Sequence, residues 1–237
     1  MRYEFNGRIR YSETGEDGRL TLGGLVNYFQ DTSTFHSEEL GVGLSYLKER
    51  KMAWILSSWQ IITAHWPKLC QRVRVQTWPY EMKGFYGLRN FALYEEDGTM
   101  AAWANSVWVL MDIEQGRPVR VPPEITEQYD MEPKLEMEYA SRKILLPEGS
   151  KREEAFVIGK QHLDTNHHVN NGQYIAMAEE YLPKGFEIHQ MRADYRMQAR
   201  LHDVVIPTIC RQGNTVTVAL RDMTDKPYAV VEFTELG

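Results

Sequence analysis

Three polar residues at alternate positions stand out in Gln161–Tyr181, which reads QHLDTNHHVNNGQYIAMAEEY. Asp164, Asn166 and His168 precede a predicted helix, and an extended chain would direct their three side chains to one side. Backbone N–H groups at the start of a helix are unpaired and favour a developing negative charge. A carboxylate, an amide, an imidazole and such an oxyanion site together suit the hydrolysis of an activated carbonyl.

Two other interpretations of this segment remain open. Asp and Asn commonly cap helices, so the cluster is also explained by a purely structural role. A metal site is the second alternative, because His162, Asp164, His167 and His168 are all ligand types. Adjacent histidines of an extended chain point apart, however, and no histidine pair has the i, i+4 spacing of a helical metal site, so we favour a site built from protein groups.

The elements that must position these residues follow an order that occurs twice. Apolar residues at helical spacing predict a helix over Thr21–Leu40, and four strands follow between Met52 and Ile113. A segment rich in proline and acidic residues comes next and indicates a linker. A second helix is predicted from about Val169 to Tyr181, and then four strands near 187–196, 204–211, 215–221 and 228–233. The pattern predicts two halves, each with a helix against an antiparallel sheet.

Composition limits the kinds of partner. The chain has 237 residues, a net charge of −6 and two cysteines, Cys70 and Cys210. Nucleic acid is excluded as the main partner, because binding a polyanion needs a positive surface. No apolar run is long enough for a membrane span, the N-terminus lacks a signal-peptide core, and the cysteines form no metal or disulfide pattern. We therefore expect a cytoplasmic protein.

The sequence resembles a known family over most of its length. The segment LDTNHHVNNGQYIAMAEEYLP resembles the catalytic segment of the acyl-acyl-carrier-protein (acyl-ACP) thioesterases of plant plastids and bacteria. Upstream, YFQDTSTFHSEELGVG resembles the first-half helix of that family and AWILSSWQI the strand after it. The segment TWPYEMKGFYGLRNFALYEEDGTMAAWANSVWVLMDIEQGRPVRVP resembles its long hairpin and the entry to its linker.

The resemblance implies an α+β fold, a tandem double hotdog in which each half is a long helix wrapped by an antiparallel sheet. We expect an N-terminal hotdog domain over 1–120 that binds the acyl chain, a linker over 121–152 and a catalytic C-terminal hotdog domain over 153–237. The family's catalytic residues match Asp164, Asn166 and His168. A further acidic position of the plant enzymes falls on Gln198, which could orient water but cannot act as a base.

The expected activity is hydrolysis of fatty acyl-ACP thioesters, which ends chain elongation in fatty acid biosynthesis, without a metal or an organic cofactor. The partners are then the acyl carrier protein and the fatty acyl chain, and a homodimer is left open. Three alternatives remain: an acyl-CoA thioesterase, a hydratase on the same kind of fold and a non-catalytic acyl-thioester binding module. Because carrier proteins are acidic, two basic clusters are candidates for docking one: Lys48, Arg50 and Lys51, and Arg192, Arg196 and Arg200.

Overall fold

The protein divides into two compact units. The computed structural model describes residues 2–164 and 167–236. Unit 1 comprises Met1–Leu56 and Ile61–Tyr139, and unit 2 comprises Ser57–Gln60 and Ala140–Gly237. In each unit, the longest helix packs against antiparallel strands.

Unit 1 contains three helices and most of the longer strands. The helices are α1 (Leu22–Glu39), α2 (Leu44–Glu49) and α3 (Pro123–Thr126). The strands are β1 (Tyr3–Arg8), β2 (Met52–Thr63, of which Ser57–Gln60 group with unit 2), β3 (Arg72–Lys83), β4 (Tyr86–Glu95), β5 (Met100–Asp112) and β6 (Arg117–Pro118). They are ordered β1-β3-β4-β5-β2, and β6 pairs with β5.

Helix α1 is stabilised by a cap at its start and by the burial of one face. The Thr21 hydroxyl accepts the Gly24 N–H at 3.1 Å and so caps the first turn. The buried face begins with Leu22, Leu25 and Phe29, and the Phe29 ring lies 5.2 Å from that of Phe91 on β4. Burial of this stripe against the sheet stabilises the helix far more than its intrinsic propensity does.

Unit 2 repeats the arrangement with a shorter helix. Its helix is α4 (Asn171–Glu179), and its strands are β7 (Lys151–Arg152), β8 (Phe156–Val157), β9 (Ile188–Tyr195), β10 (Val204–Gln212), β11 (Thr215–Arg221) and β12 (Pro227–Glu235). The four longer strands are ordered β9-β12-β11-β10, and β7 and β8 both pair with β10. Helix α4 packs its buried residues Tyr174, Ile175, Met177 and Ala178 against β11 and β12.

The predicted order of a helix followed by four strands is confirmed in both halves. The second helix is shorter than predicted, because Val169 hydrogen-bonds outside the helix and Asn170 is the cap residue that precedes the first turn. Within the described residues, no helix is long and apolar enough to cross a membrane.

Candidate active site

Asp164 and His168 lie on a loop immediately before α4. Leu163 and Val169 pair as an isolated antiparallel bridge. Between them, the Asp164 N–H donates to the His168 carbonyl oxygen at 2.8 Å, and Asp164 Oδ1 accepts the His168 N–H at 3.2 Å. Asp164 and His168 therefore lie opposite each other at the neck of the loop, and both are half-buried.

This geometry differs from the extended run expected from the alternating polar residues. The chain reverses direction inside the loop, and His167, which is exposed, has a φ of 62°. Asp164 and His168 come together through the closure of the loop and not through a strand repeat. Asn166, the third residue of the predicted set, lies outside the described residues.

Gln198 lies on the segment that borders this loop. The next residue, Ala199, accepts the Val169 N–H on its carbonyl oxygen at 3.0 Å, and His168 pairs with Arg200 as an antiparallel bridge. The fold thus brings the backbone of Gln198 beside the loop that carries Asp164 and His168. Gln198 is exposed, and its side chain makes no hydrogen bond to any other described residue.

At the start of α4, one backbone N–H has no acceptor among the residues that the structure describes. The Val169 N–H donates to Ala199, the Asn170 N–H donates to the His162 carbonyl oxygen at 2.9 Å, and the Gly172 N–H donates to Asn170 Oδ1 at 2.8 Å. The Asn171 N–H has no acceptor among the described residues. The Asn171 N–H lies where the helix dipole favours negative charge.

Two tyrosines that the sequence did not single out hold this region together. The Tyr174 hydroxyl oxygen accepts the Ala199 N–H at 2.8 Å, and the Tyr195 hydroxyl donates to the Asn171 carbonyl oxygen at 3.0 Å. Burial raises the pKa of Tyr174 to about 12 and raises the pKa of Tyr195 as well, so both remain protonated at neutral pH. The sequence did contain a signal for Tyr174, which lies on the buried face of the predicted helix. A buried hydroxyl needs a hydrogen-bond partner.

Unit 1 contains a counterpart of this loop at its own helix start. Thr14 and Leu20 form the closing bridge, and Arg19 pairs with Lys68 as His168 pairs with Arg200. The matched hydrogen bonds have similar lengths: Gly15 N–H to Arg19 O at 2.9 Å, Leu20 N–H to Pro67 O at 2.8 Å and Thr21 N–H to Glu13 O at 2.9 Å. Even the left-handed residue recurs, because Gly18, with a φ of 71°, occupies the position of His167.

The two loops share a backbone arrangement but differ in chemistry. Gly15 stands at the position of Asp164, and Arg19 stands at the position of His168. The loop of unit 1 closes without a carboxylate and an imidazole at its neck, so these groups are not required for the loop to form. Their presence in unit 2 therefore points to a chemical role, which the capping interpretation alone does not explain.

The metal alternative gains no support from the described residues. Among them, no three His, Cys, Asp or Glu side chains are placed together so that they could hold a metal ion. His162, one of the proposed ligands, instead uses Nδ1 to accept the Gly159 N–H at 3.0 Å.

Most of the basic residues proposed for carrier docking have acidic neighbours. Lys51 Nζ lies 2.6 Å from Glu114, and Arg50 Nη1 lies 3.9 Å from Glu49. The other paired residues are Arg192, 2.7 Å from Glu232, and Arg196, 2.8 Å from Asp194. Lys48 and Arg200 form no ion pair with any residue that the structure describes.

Comparisons with known proteins identify the family. A family model described as the acyl-ACP thioesterase N-terminal domain matches residues 1–129, and one described as the C-terminal domain matches residues 148–223. An acyl-[acyl-carrier-protein] hydrolase of Cuphea viscosissima is 27% identical over 214 residues, which cover 83% of this chain and 52% of the relative. A palmitoyl-acyl carrier protein thioesterase of Arabidopsis thaliana is 26% identical over 234 residues, which cover 90% of this chain and 57% of the relative. The chain thus spans about half the length of the curated relatives it matches.

Solved structures show the same fold. An acyl-ACP thioesterase from Bacteroides thetaiotaomicron superimposes with a TM-score of 0.89 at 22% identity, covering 98% of this chain and 96% of that one. The 12:0-ACP thioesterase from Umbellularia californica gives a TM-score of 0.87 at 18% identity with the same coverage. The predicted tandem hotdog fold is confirmed. Since the two family models together match most of its residues, the chain belongs to the acyl-ACP thioesterase family.

Proposed function

We propose that this chain hydrolyses fatty acyl-ACP thioesters to free fatty acid and carrier protein, and so ends chain elongation. The observation that carries the proposal is the loop before α4, which places Asp164 and His168 at one neck while its counterpart in unit 1 closes without them. Membership of the acyl-ACP thioesterase family supports the substrate class.

The reaction breaks the carbonyl carbon–sulfur bond and adds the oxygen of water to the carbonyl carbon. In one route, His168 or Asp164 takes a proton from the attacking water. In the other, Asp164 attacks, forms a mixed anhydride and releases the thiolate, and water then opens the anhydride. In both routes the sulfur leaves readily as a thiolate that takes up a proton, so the residues on the loop suffice.

The developing oxyanion needs hydrogen-bond donors. The Asn171 N–H supplies one at the positive end of α4. Asn166, which the family resemblance assigns to the catalytic set, is our second proposed donor. Gln198 is proposed to orient water from the bordering segment, since an amide can donate and accept hydrogen bonds but cannot take a proton.

We also propose a role for each part of the chain. We assign acyl-chain binding to 1–120, a linker role to 121–152 and catalysis to 153–237. For the docking of an acidic carrier, Lys48 and Arg200 are the stronger candidates, because their side chains form no ion pair with a described residue. Both cysteines are free, which is consistent with a reducing cytoplasm.

The test is hydrolysis of saturated acyl-ACP thioesters over a range of chain lengths, beside the same acyl groups on coenzyme A and an enoyl thioester. We expect free fatty acid to be released, with a higher kcat/KM for the ACP thioesters. A higher value for the coenzyme A thioesters would identify an acyl-CoA thioesterase, and hydration of the enoyl thioester would identify a hydratase. Binding without turnover of any thioester would contradict the proposal and favour a binding module.

A further inference from the structure

In the turn that precedes the candidate catalytic loop, a histidine side chain hydrogen-bonds the backbone. His162 ends a short 3₁₀ turn, Lys160–His162, and its Nδ1 accepts the Gly159 N–H at 3.0 Å. A backbone N–H can only donate, so Nδ1 carries no proton and the ring acts here as an acceptor. The His162 carbonyl oxygen accepts the Asn170 N–H at 2.9 Å at the other end of the loop.

His162 therefore holds both ends of the loop that carries Asp164 and His168. Its side chain fixes the entry, where Gly159 begins the turn. Its carbonyl oxygen fixes the exit, where Asn170 caps α4. Loss of the side-chain bond would release the entry while leaving Asp164 and His168 themselves unchanged.

Unit 1 uses the same device with a different residue. Glu13 ends the 3₁₀ turn Tyr11–Glu13, its Oε2 accepts the Arg10 N–H at 2.8 Å, and its carbonyl oxygen accepts the Thr21 N–H at 2.9 Å. An acceptor side chain at this position thus recurs although one unit has a carboxylate and the other an imidazole. The shared property is the ability to accept the backbone N–H three residues earlier.

We propose that His162 is a positioning residue of the active site, which holds Asp164 and His168 in register by accepting the Gly159 N–H. This inference rests on the proposed function for its kinetic consequence, but its structural part can be measured independently. The geometry matters for turnover because a displacement of about 1 Å of a reacting group can lower a rate by about 10²-fold.

The test compares His162→Ala, which removes the acceptor, with His162→Gln. Glutamine has the same length as the glutamate that performs this role in unit 1, and it adds no charge beside Asp164. We expect His162→Ala to lower kcat by about tenfold or more with little change in KM, and His162→Gln to restore most of it. Lys160→Ala, an exposed change in the same turn at a side chain that makes no hydrogen bond to a described residue, is the matched control and should leave kcat unchanged.

Amide hydrogen exchange provides the readout that does not depend on activity. His162→Ala should accelerate exchange in residues 159–170 and leave residues 10–21 protected, and His162→Gln should restore protection. An inactive wild-type protein would refute the proposed function, while the exchange data would still decide the role of His162. Unchanged exchange in His162→Ala, or equal kcat values for the Ala and Gln variants, would overturn the inference.

Glu13→Ala separates positioning from general stability. It removes the same bond from the loop of unit 1, so Tm should fall while kcat, measured well below Tm, stays near the wild-type value. A parallel loss of kcat would mean that His162→Ala acts through overall stability, which would contradict a positioning role. If Glu13→Ala does not fold, the Ala and Gln variants at position 162 still decide the question.

Discussion

Asp164 makes a structural hydrogen bond and is our proposed catalytic carboxylate, and the two roles can be separated experimentally. Its Oδ1 accepts the His168 N–H, which is the structural bond. Asparagine retains an oxygen at Oδ1 and can accept the same N–H, so Asp164→Asn removes the charge but keeps the bond. Gly15 occupies the matching position of unit 1, whose loop closes with no side chain there.

Among the described residues of the loop, His167 is the one under backbone strain. Its φ of 62° is in the left-handed region, where a residue with a Cβ costs more than glycine. Gly18 fills the matching position of unit 1. We predict that His167→Gly leaves kcat within about twofold of wild type and raises the free energy of unfolding by up to about 1 kcal/mol.

Chemical denaturation and steady-state kinetics check this prediction. A large loss of kcat in a folded His167→Gly variant would contradict it and would return His167 to consideration as a metal ligand.

His36 on α1 is buried beside Arg89, whose Nη1 lies 3.1 Å from His36 Nδ1. Burial, reinforced by the positive charge of Arg89, lowers the pKa of His36 to about 3. The folded protein therefore keeps His36 neutral at a pH where the unfolded chain protonates it. As the pH falls from about 6.5 towards 3, His36 should lower the free energy of unfolding by up to about 1.4 kcal/mol per unit.

Denaturation between pH 7 and pH 4 measures this slope, and His36→Gln should reduce it. An unchanged slope in His36→Gln would show that other groups cause the acid sensitivity.

At the scale of elements, the sequence predicted the helices and strands that are marked by the spacing of residues close together in the chain. Helix α1 follows from apolar spacing and from Gly41 and Gly43 beyond its end, and it spans Leu22–Glu39. Strand β1 was not predicted, because four of its six residues are polar or glycine and only alternate positions are partly buried. Helix α2 was not predicted either, since a helix of six residues is too short for its apolar periodicity to be recognised.

The geometry of the candidate site was likewise not predictable from local sequence patterns. The residue types Asp164 and His168 were evident from sequence, but the closed loop that joins them depends on the pairing of Leu163 with Val169 and of Val169 with Ala199. These contacts link positions that no helical or strand period relates. The roles of Tyr174 and His162 were not predicted for the same reason.

Tyr174 provides a prediction for the contact between α4 and the segment 198–200. Tyr174→Phe keeps the ring but leaves the buried Ala199 N–H without its acceptor. We expect the free energy of unfolding to fall by about 1–3 kcal/mol, because an unpaired buried donor loses its hydrogen bond to water as well. Urea denaturation measures it, and Tyr181→Phe, at a half-exposed ring after α4, is the control.

A fall no larger than that of Tyr181→Phe would show that the contact contributes little to stability.

At the scale of the whole molecule, a net charge of −6 would repel an acidic carrier protein, so the docking that we propose requires a local positive surface. We predict that Lys48→Glu and Arg200→Glu each raise KM for an acyl-ACP, while Lys51→Glu, whose charge is already offset by Glu114, has a smaller effect. Raising salt to about 0.5 M should lower kcat/KM for acyl-ACP more than for a short acyl-CoA, because screening then acts over a few ångströms.

Steady-state kinetics with both substrates check these effects, and Lys226→Glu, in the hairpin between β11 and β12, is the control. Equal salt dependence for the two substrates would contradict a dedicated carrier surface.

The central claim is that the loop before α4 performs thioester hydrolysis through Asp164 and His168. The most direct measurement is single-turnover hydrolysis of an acyl-ACP by wild type, Asp164→Asn and His168→Ala, with Tm recorded for each. We predict that both variants keep a Tm within about 2 °C of wild type and lose about 10²-fold or more in the rate of fatty acid release. Near-wild-type rates in both folded variants would contradict the claim.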